Sequence, residues 1–235
     1  LRILDLSRVL AGPSCTQLLA DLGADVIKLE RPSVGDETRT WGPPFVEDAE
    51  GVETTESGYY LSANRNKRSV TLNLTSAQGQ SLAKRMINQC QVLAENFKVG
   101  NLAKFGLDYA SLKTDNPGLV YCSITGFGQT GPKAKRPGYD FMAQGLGGIM
   151  SITGEEGREP VRVGPSIIDI AAGMWSCIGL LAALHERNQT GIGCEVDTSL
   201  YETALAWMTV PSAMHLASGT VPARTGSEVG MLAPY

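Results

Sequence analysis

Short apolar segments alternate with longer, helix-like segments along this chain, and no other feature constrains its fold as strongly. The short segments are rich in Leu, Ile and Val, and most precede a stretch whose apolar side chains recur at helical spacing. This succession is typical of a doubly wound, mostly parallel sheet with helices packed on it. We therefore predict an α/β chain, with strands at residues 1–6, 24–29, 69–74, 91–94, 119–124 and 195–198.

The helical segments show residues that commonly end helices, and their patterns differ in strength. Gly23 follows the first of them and suits a helix C-terminus, while the segment 170–188 carries the strongest helical pattern in the chain. Residues 31–58 are rich in Gly, Pro and acidic side chains and are predicted to form a long loop, and residues 59–66 to be irregular. The predicted helices are 13–22, 76–89, 139–149, 170–188 and 200–215, with helical turns at 102–105 and 109–113.

Composition excludes several classes of partner. The 235 residues are 43% hydrophobic and 19% charged, which is enough apolar material for a packed core. The net charge of -4 gives no basic excess for nucleic acid or an anionic membrane surface. The longest uninterrupted apolar run, 178–184, is too short to span a bilayer. We therefore expect no nucleic-acid partner and no membrane association.

Cysteine and histidine usage argues against a metal site. The five cysteines are scattered without a C-x-x-C pair, and there are two histidines. We expect no metal. Unpaired thiols are typical of a reducing compartment, and we expect the protein in the cytoplasm or the mitochondrial matrix.

Residues 126–131 match the dinucleotide fingerprint G-x-G-x-x-G and follow a predicted strand. However, Pro132 comes next, and no helix start follows to receive a pyrophosphate. We do not expect a dinucleotide site here. The segment is either a tight turn or a loop whose backbone approaches some ligand closely.

Several cations lie near predicted strand ends. The segment Asn64–Arg68 combines three cations with two amides, and it is either a solvated loop or a clamp for phosphate groups. Arg31 and Lys98 follow their strands closely. Because ligands of open α/β sheets sit at the carboxyl ends of the strands, these two cations are candidate ligand contacts.

Asp169 precedes the strongest predicted helix and is the one charge in a long apolar stretch, 167–172. An acid in this place is usually a helix N-cap. The alternative is a nucleophilic carboxylate, partly desolvated by its neighbours and held ionised by the helix N-terminus. The residues alone leave both interpretations open.

A set of motifs in characteristic order connects these features. They are Val9–Pro13, Asp21–Pro32, Thr40–Phe45, Asn64–Arg68, Glu95–Phe97, Ser123–Gly128, Gly138–Asp140 and the segment around Asp169. In this order and spacing the chain resembles the class III CoA-transferases over essentially its whole length. That family includes formyl-CoA, carnitine and succinyl-CoA–glutarate CoA-transferases, and also 2-methylacyl-CoA racemases.

The resemblance implies a Rossmann-like, mostly parallel open sheet forming the large domain of such an enzyme. It implies that residues 1–216 are the large CoA-binding domain and that residues 217–235 are a linker toward a small domain. We expect the chain to be a fragment lacking that small domain, since it begins within a predicted strand at Leu1 and stops at Tyr235. The resemblance further implies an interlocked homodimer.

The resemblance also implies a mechanism. Asp169 would attack an acyl-CoA thioester, forming a mixed anhydride and then an aspartyl-CoA thioester, before a short carboxylic acid takes the CoA, with dicarboxylic acids among the candidates. Coenzyme A enters as part of the substrate. The positions implied to contact CoA are Leu10, Ala11, Arg31, Ala63, Asn64, Arg65, Asn66, Asn96, Phe97, Lys98, Lys104, Arg136, Pro137, Gly138, Tyr139 and Asp140.

Transfer and racemisation are the alternatives within this family. The racemases carry His within the Gly-x-Asp motif, because proton exchange at the α-carbon needs an acid and a base. Here the motif is Gly138-Tyr139-Asp140, which favours transfer. A third hypothesis, an inactive CoA-binding or dimer-forming relative, has no support in the segment around Asp169.

Overall fold

The computed structural model describes residues 1–228, and these contain a six-stranded sheet in which every pairing is parallel. The predicted α/β fold is confirmed. An antiparallel hairpin lies apart from this sheet. In chain order the strands are β1 (Arg2–Asp5), β2 (Asp25–Glu30), β3 (Phe45–Glu47), β4 (Glu53–Ser57), β5 (Lys67–Thr71), β6 (Val92–Glu95), β7 (Val120–Thr125) and β8 (Glu195–Ser199).

The strand order of the large sheet is β5-β2-β1-β6-β7-β8. From β1 the chain first builds outward through β2 and β5, and then returns to the other side of β1 with β6. The direction of winding therefore reverses between β1 and β6. In open parallel sheets this reversal opens a crevice at the carboxyl ends of the two strands, where ligands bind.

Helices cover both faces of the sheet. The α-helices are α1 (Ala11–Asp21), α2 (Gly58–Ser62), α3 (Ala77–Ile87), α4 (Tyr109–Leu112), α5 (Asp140–Leu146), α6 (Ile167–Thr190), α7 (Leu200–Trp207) and α8 (Thr209–Ser218). Single turns of 3-10 helix lie at Glu37–Thr40, Leu102–Phe105 and Ile149–Ile152.

Two apolar cores result from the alternation of side chains along the strands. Ile3 of β1 packs with Leu19 of α1 and Leu180 of α6 on one face. Its neighbour Leu4 packs with Ile87 of α3 on the other face. Full burial of an aliphatic side chain of this size contributes about 1.5–3 kcal/mol, so both faces stabilise the sheet.

Helices α1 and α6 touch closely near their N-termini. A Cβ on Gly173 would lie 2.7 Å from the carbonyl oxygen of Ala11 and 3.1 Å from Cβ of Ser14. A larger residue at 173 would push the helices apart. Because the contact lies near both N-termini, it brings residues 10–11 and the start of α6 to the same place.

The segment predicted as a loop, 31–58, contains more structure than expected. Thr54 Oγ1 donates to the carbonyl of Val46 at 2.6 Å across the β3–β4 hairpin. The Asp48 carboxylate accepts from the backbone amides of Glu50 and Val52 in the turn. Side chains that bond locally to the backbone stabilise a turn, a signal that composition alone does not carry.

The C-terminal helices also differ from the prediction. The helix expected over 200–215 is divided at Met208, because Pro211 has no amide hydrogen to donate to the carbonyl of Trp207. Helix α8 ends at Ser218, so the expected linker 217–235 begins inside it. Residues 229–235 of that linker lie outside the described residues.

Helix α6 is long and apolar enough to cross a membrane by length and composition alone. The prediction from the sequence concerned only the uninterrupted apolar run 178–184, whereas α6 reaches this length with polar residues interrupting its apolar stretches. Half of its most apolar part is buried inside the protein, where α6 packs on α1 and the sheet. A core helix meets the same criteria, so this is weak support for a membrane span.

Candidate active site

A cavity of about 180 Å³ occupies the crevice between the carboxyl ends of β1 and β6. We call it the first cavity. Its walls come from the loop after β1, the turn after β6, the exit of β7 and the first turn of α6. Of the predicted site residues, the structure brings together here Leu10, Ala11, Asn96, Phe97, Lys98, Arg136, Pro137, Gly138, Tyr139 and Asp169.

Asp169 is the third residue of α6, and Ser166 holds the N-cap position without a side-chain hydrogen bond. The interpretation of Asp169 as the N-cap is therefore wrong. The carboxylate lies in the first helical turn, where the exposed backbone amides favour negative charge. It faces the first cavity, so it is both at a helix N-terminus and accessible to a ligand.

Asp140 supplies the cap that α6 lacks. Its Oδ1 accepts hydrogen bonds from the backbone nitrogens of Ile168 at 2.7 Å and Asp169 at 3.2 Å. Its Oδ2 accepts from Nε2 of buried Gln144 at 2.6 Å, and Gln144 Oε1 in turn accepts from the amide of Val163 at 2.8 Å. Asp140 thus holds the helix start from behind the cavity wall.

The environment of Asp169 makes its carboxylate unusually basic. Burial, and secondly the negative charge of Asp140, raise the pKa of Asp169 to about 7. One interpretation of the sequence had the helix N-terminus hold this group ionised, but burial outweighs that effect. At neutral pH a substantial fraction remains ionised, and that fraction is more nucleophilic than an ordinary carboxylate.

Tyr59 was not predicted as a site residue. Burial, and then the charges of Asp169, Asp140 and Asp36, raise the pKa of Tyr59 to about 12, so its hydroxyl stays protonated. The ring of Trp41 meets Tyr59 edge-on, with 5.0 Å between centroids. The sequence contains little indication of Tyr59, because it lies in a segment that was predicted to be irregular. The one available clue was its partner Trp41, which belongs to the motif Thr40–Phe45.

The loop that leads from β1 into α1 is held in a strained conformation. Val9 has φ of 69°, which is costly for a β-branched residue. Its amide lies 3.3 Å from the carboxylate of Asp36. Lys28 and Asp36 are both buried and form an ion pair at 3.0 Å, and Lys28 also donates to the carbonyl of Ser7 at 2.7 Å. A buried ion pair therefore fixes this wall of the first cavity.

Arg8 is a second residue that sequence reasoning missed. Asn96 clamps its backbone, accepting from the Arg8 amide at 2.9 Å and donating to the Arg8 carbonyl at 2.7 Å. The guanidinium lies 5.5 Å from the ring centroid of Phe97. The Phe97 amide donates to buried Glu95 at 2.7 Å, which fixes the turn after β6.

A larger cavity of about 500 Å³ adjoins the first one, and Arg8 and Phe97 line both. We call it the second cavity. Arg31 lies in its wall, as do Asn101 and Phe105. The segment 72–75 after β5 also lines it, which sequence reasoning did not single out.

The remaining predicted contacts lie elsewhere. Ala63 is buried, Asn64 bonds to Lys67 and the carbonyl of Tyr60, and both Arg65 and Asn66 donate to Asp21. Lys104 is exposed and donates to Asn101 at 3.1 Å. None of these side chains lines either cavity, so their contact with CoA stays a prediction.

The G-x-G segment at 126–128 follows β7, and the next α-helix after it begins only at Asp140. The dinucleotide interpretation therefore lacks the helix it needs. A Cβ on Gly138 would lie 2.3 Å from Cα of Gly126, so the two backbones touch. This approach presses residues 137–139 against the exit of β7, beside the first cavity. Within residues 1–228, no three His, Cys, Asp or Glu side chains converge as metal ligands.

The chain is similar to proteins of one known family. The sequence model described as CoA-transferase family III matches residues 1–235. The succinate–glutarate CoA-transferase of Agrobacterium fabrum is 46% identical over 235 residues, covering all of this chain and 58% of that protein. The succinyl-CoA:mesaconate CoA-transferase of Haloarcula marismortui is 43% identical over 239 residues, covering 100% and 59%.

A solved structure shares the fold. The crystal structure of a CAIB/BAIF family protein from Brucella suis superposes with a TM-score of 0.93 at 48% sequence identity. The match covers 100% of this chain and 61% of that one. The chain thus spans somewhat more than half the length of these relatives.

A parallel sheet with a carboxylate at its switch-point crevice defines an α/β domain with a candidate ligand site at the carboxyl ends of its strands. More particularly, the chain belongs to CoA-transferase family III, because the family match extends over its entire length.

Proposed function

We propose that the protein containing this chain transfers CoA from an acyl-CoA donor to a short dicarboxylic acid. The observation that carries this proposal is the Asp169 carboxylate, which faces the first cavity from a helix N-terminus with a pKa near neutrality. Two relatives whose names specify succinate with glutarate, or succinyl-CoA with mesaconate, support a dicarboxylic acceptor.

In the first step, a carboxylate oxygen of ionised Asp169 attacks the thioester carbonyl. A C–O bond forms, the C–S bond breaks, and CoA leaves as a thiolate, giving a mixed anhydride. The raised pKa favours this attack, because a more basic carboxylate is a better nucleophile.

In the second step, the CoA thiolate attacks the Asp169 carbonyl of the anhydride and releases the first acid as a carboxylate. The resulting aspartyl-CoA thioester is attacked by the incoming carboxylate, which forms a second anhydride and frees the thiolate again. Attack of that thiolate on the substrate carbonyl gives the new acyl-CoA and restores Asp169. Every step exchanges one acyl bond for another, so no further energy source is needed.

The two cavities suggest how CoA lies on the protein. The thioester end fits the first cavity beside Asp169, and the phosphates and adenine extend into the second cavity. Arg31 lines the second cavity and Lys98 the first, and both are exposed cations suited to phosphate groups. Phe97, which lines both cavities, offers an aromatic surface at the junction.

We propose that the active protein is a homodimer, as the family resemblance implies. Its support is the number of large apolar side chains that stay exposed on α6, α7 and α8, because exposed apolar surface marks sites of protein contact. The exposed side chains there are Trp175, Ile178, Leu181, Leu205, Trp207, Val210, Met214 and Leu216.

Racemisation is the alternative chemistry within the family. It needs an acid and a base on opposite faces of the α-carbon. Tyr139 stands where the racemases have His, and its side chain is 63% exposed. This favours transfer. Deuterium incorporation at the α-carbon of a 2-methylacyl-CoA in heavy water would instead support the racemase.

The proposal is tested with the full-length protein, succinyl-CoA and glutarate, with the products separated by mass spectrometry. We expect glutaryl-CoA to form, and Asp169→Asn to abolish its formation. The matched control is Asp115→Asn, which removes an exposed carboxylate away from both cavities and should leave the rate unchanged. Transfer by Asp169→Asn at the parent rate would refute the nucleophile, and absence of transfer to any dicarboxylate would refute the acceptor class.

A further inference from the structure

Glu37 lies between two arginines at the junction of the cavities. Its Oε2 is 2.8 Å from Nη1 of Arg8 and 3.9 Å from Nη2 of Arg31. Arg8 lines both cavities, Glu37 lines the first, and Arg31 lines the second. A ligand that extends from one cavity into the other must therefore pass this carboxylate.

The ion pair between Arg8 and Glu37 is exposed enough for another anion to replace Glu37. The side chains of Arg8 and Glu37 are 34% and 36% exposed, and that of Arg31 is 57% exposed. Ion pairs that remain this accessible to solvent contribute little to stability and are readily exchanged. In addition, Nε of Arg8 is buried without a hydrogen-bond partner, so the guanidinium has not used all its donors.

A phosphate group has the chemistry to replace Glu37. It is an oxyanion like the carboxylate, carries more charge, and accepts forked hydrogen bonds from arginine. Left in place, Glu37 would instead repel such a ligand, because like charges at short range oppose each other.

We propose that the Glu37 carboxylate occupies the place of a CoA phosphate between Arg8 and Arg31 and is displaced when CoA binds. This rests on the proposed CoA-dependent function. Glu37 then competes with the phosphate group, so it lowers the affinity for CoA and speeds its release. It also keeps the two arginines neutralised while the cavities are empty.

The opposite hypothesis gives the opposite result. If Glu37 serves to orient Arg8 and Arg31 for the phosphate, its removal weakens CoA binding. If the contact is incidental, its removal changes nothing. The sign of the change in affinity therefore decides among the three.

The experiment is titration calorimetry of full-length protein with CoA, and separately with pantetheine, which lacks the phosphates. We expect Glu37→Gln to lower the dissociation constant for CoA by about threefold to tenfold at low salt. The gain should shrink at high salt, since screening weakens exposed charge interactions. Binding of pantetheine should not change.

The matched control is Glu50→Gln, which makes the same charge change in the same segment at an exposed site away from both cavities. Equal effects from the two variants would mean that only the net charge of the protein matters, and would overturn the proposal that Glu37 occupies the place of a phosphate. An unchanged or weakened affinity of Glu37→Gln for CoA would overturn it as well, while leaving the proposed function intact. Failure of the parent protein to bind CoA at all would refute the proposed function itself.

Discussion

Asp140 Oδ1 lies 3.2 Å from the backbone nitrogen of Asp169 and accepts its hydrogen bond. The same oxygen accepts from Ile168, so one carboxylate caps a helix that begins 27 residues further along the chain, at Ile167. This relationship places two acids together at one helix N-terminus. One is held by backbone amides and positions the helix, and the other is left free toward the first cavity.

Asp140→Asn tests this division of roles through the pH profile. The Asp140 charge contributes to the raised pKa of Asp169, so its removal should lower that pKa below about 7. Because Asp169 attacks as the ionised form, the acidic limb of kcat/KM against pH should move to lower pH. A limb that stays in place would show that Asp140 does not act on Asp169 through its charge.

Asp140→Ala separates position from charge. It removes the cap together with the charge, and loss of a helix cap costs about 0.5–2 kcal/mol. We expect a lower free energy of unfolding in urea for Asp140→Ala than for Asp140→Asn, since the amide oxygen can still accept from Ile168 and Asp169.

Asp169→Asn should abolish transfer and yet stabilise the fold at high pH. The folded-state pKa of about 7 lies above the ordinary value of 3.8, so the folded state binds this proton more tightly than the unfolded chain. The stabilisation from that proton is present at low pH and is lost as the pH rises from about 4 to about 7. We expect Asp169→Asn to gain about 1–2 kcal/mol over the parent at pH 8, relative to pH 4, in urea unfolding. An equal difference at both pH values would contradict the raised pKa.

Lys28→Met should be strongly destabilising. It leaves the buried carboxylate of Asp36 without its partner at 3.0 Å, and breaking a buried pair in this way costs about 3–5 kcal/mol. Unfolding in urea gives the loss directly. The control is Lys28→Met combined with Asp36→Asn, which should recover part of it because no uncompensated charge remains. A loss below about 1 kcal/mol for the single variant would show that water reaches Asp36.

Gly138→Ala tests the contact between the two glycine backbones. The new Cβ would lie 2.3 Å from Cα of Gly126. The atoms it would meet belong to the backbone, which cannot move aside as easily as a flexible side chain. We expect a loss of about 1–3 kcal/mol in stability and a raised KM for the acyl-CoA, because residues 137–139 line the first cavity. Gly164→Ala is the control, since its Cβ would meet nothing within 4 Å. Similar losses from both variants would argue against a specific contact.

Much of the fold was readable from the sequence because it rests on local periodicity. The strand at Arg2–Asp5 lies inside the predicted segment 1–6, and the strand at Val120–Thr125 is shifted by one residue from the predicted 119–124, since a strand buried on both faces is a short apolar run. The strand at Lys67–Thr71 begins two residues before the predicted segment, because pairing with β2 sets its limits rather than its own composition. The hairpin in 31–58 was missed for a similar reason, as its turn depends on side-chain bonds from Asp48.

The site divides in the same way. The sequence by itself determined which side chains carry chemistry: the isolated Asp169, the Gly138–Asp140 motif and the cations near strand ends. Only the tertiary structure decided what each one does, because it brings distant segments together. It made Asp140 the cap of α6, set the pKa of Asp169 through burial, and placed Arg8 and Glu37 between two cavities. Periodicity is a property of neighbours in the chain, whereas burial and charge pairing depend on neighbours in space.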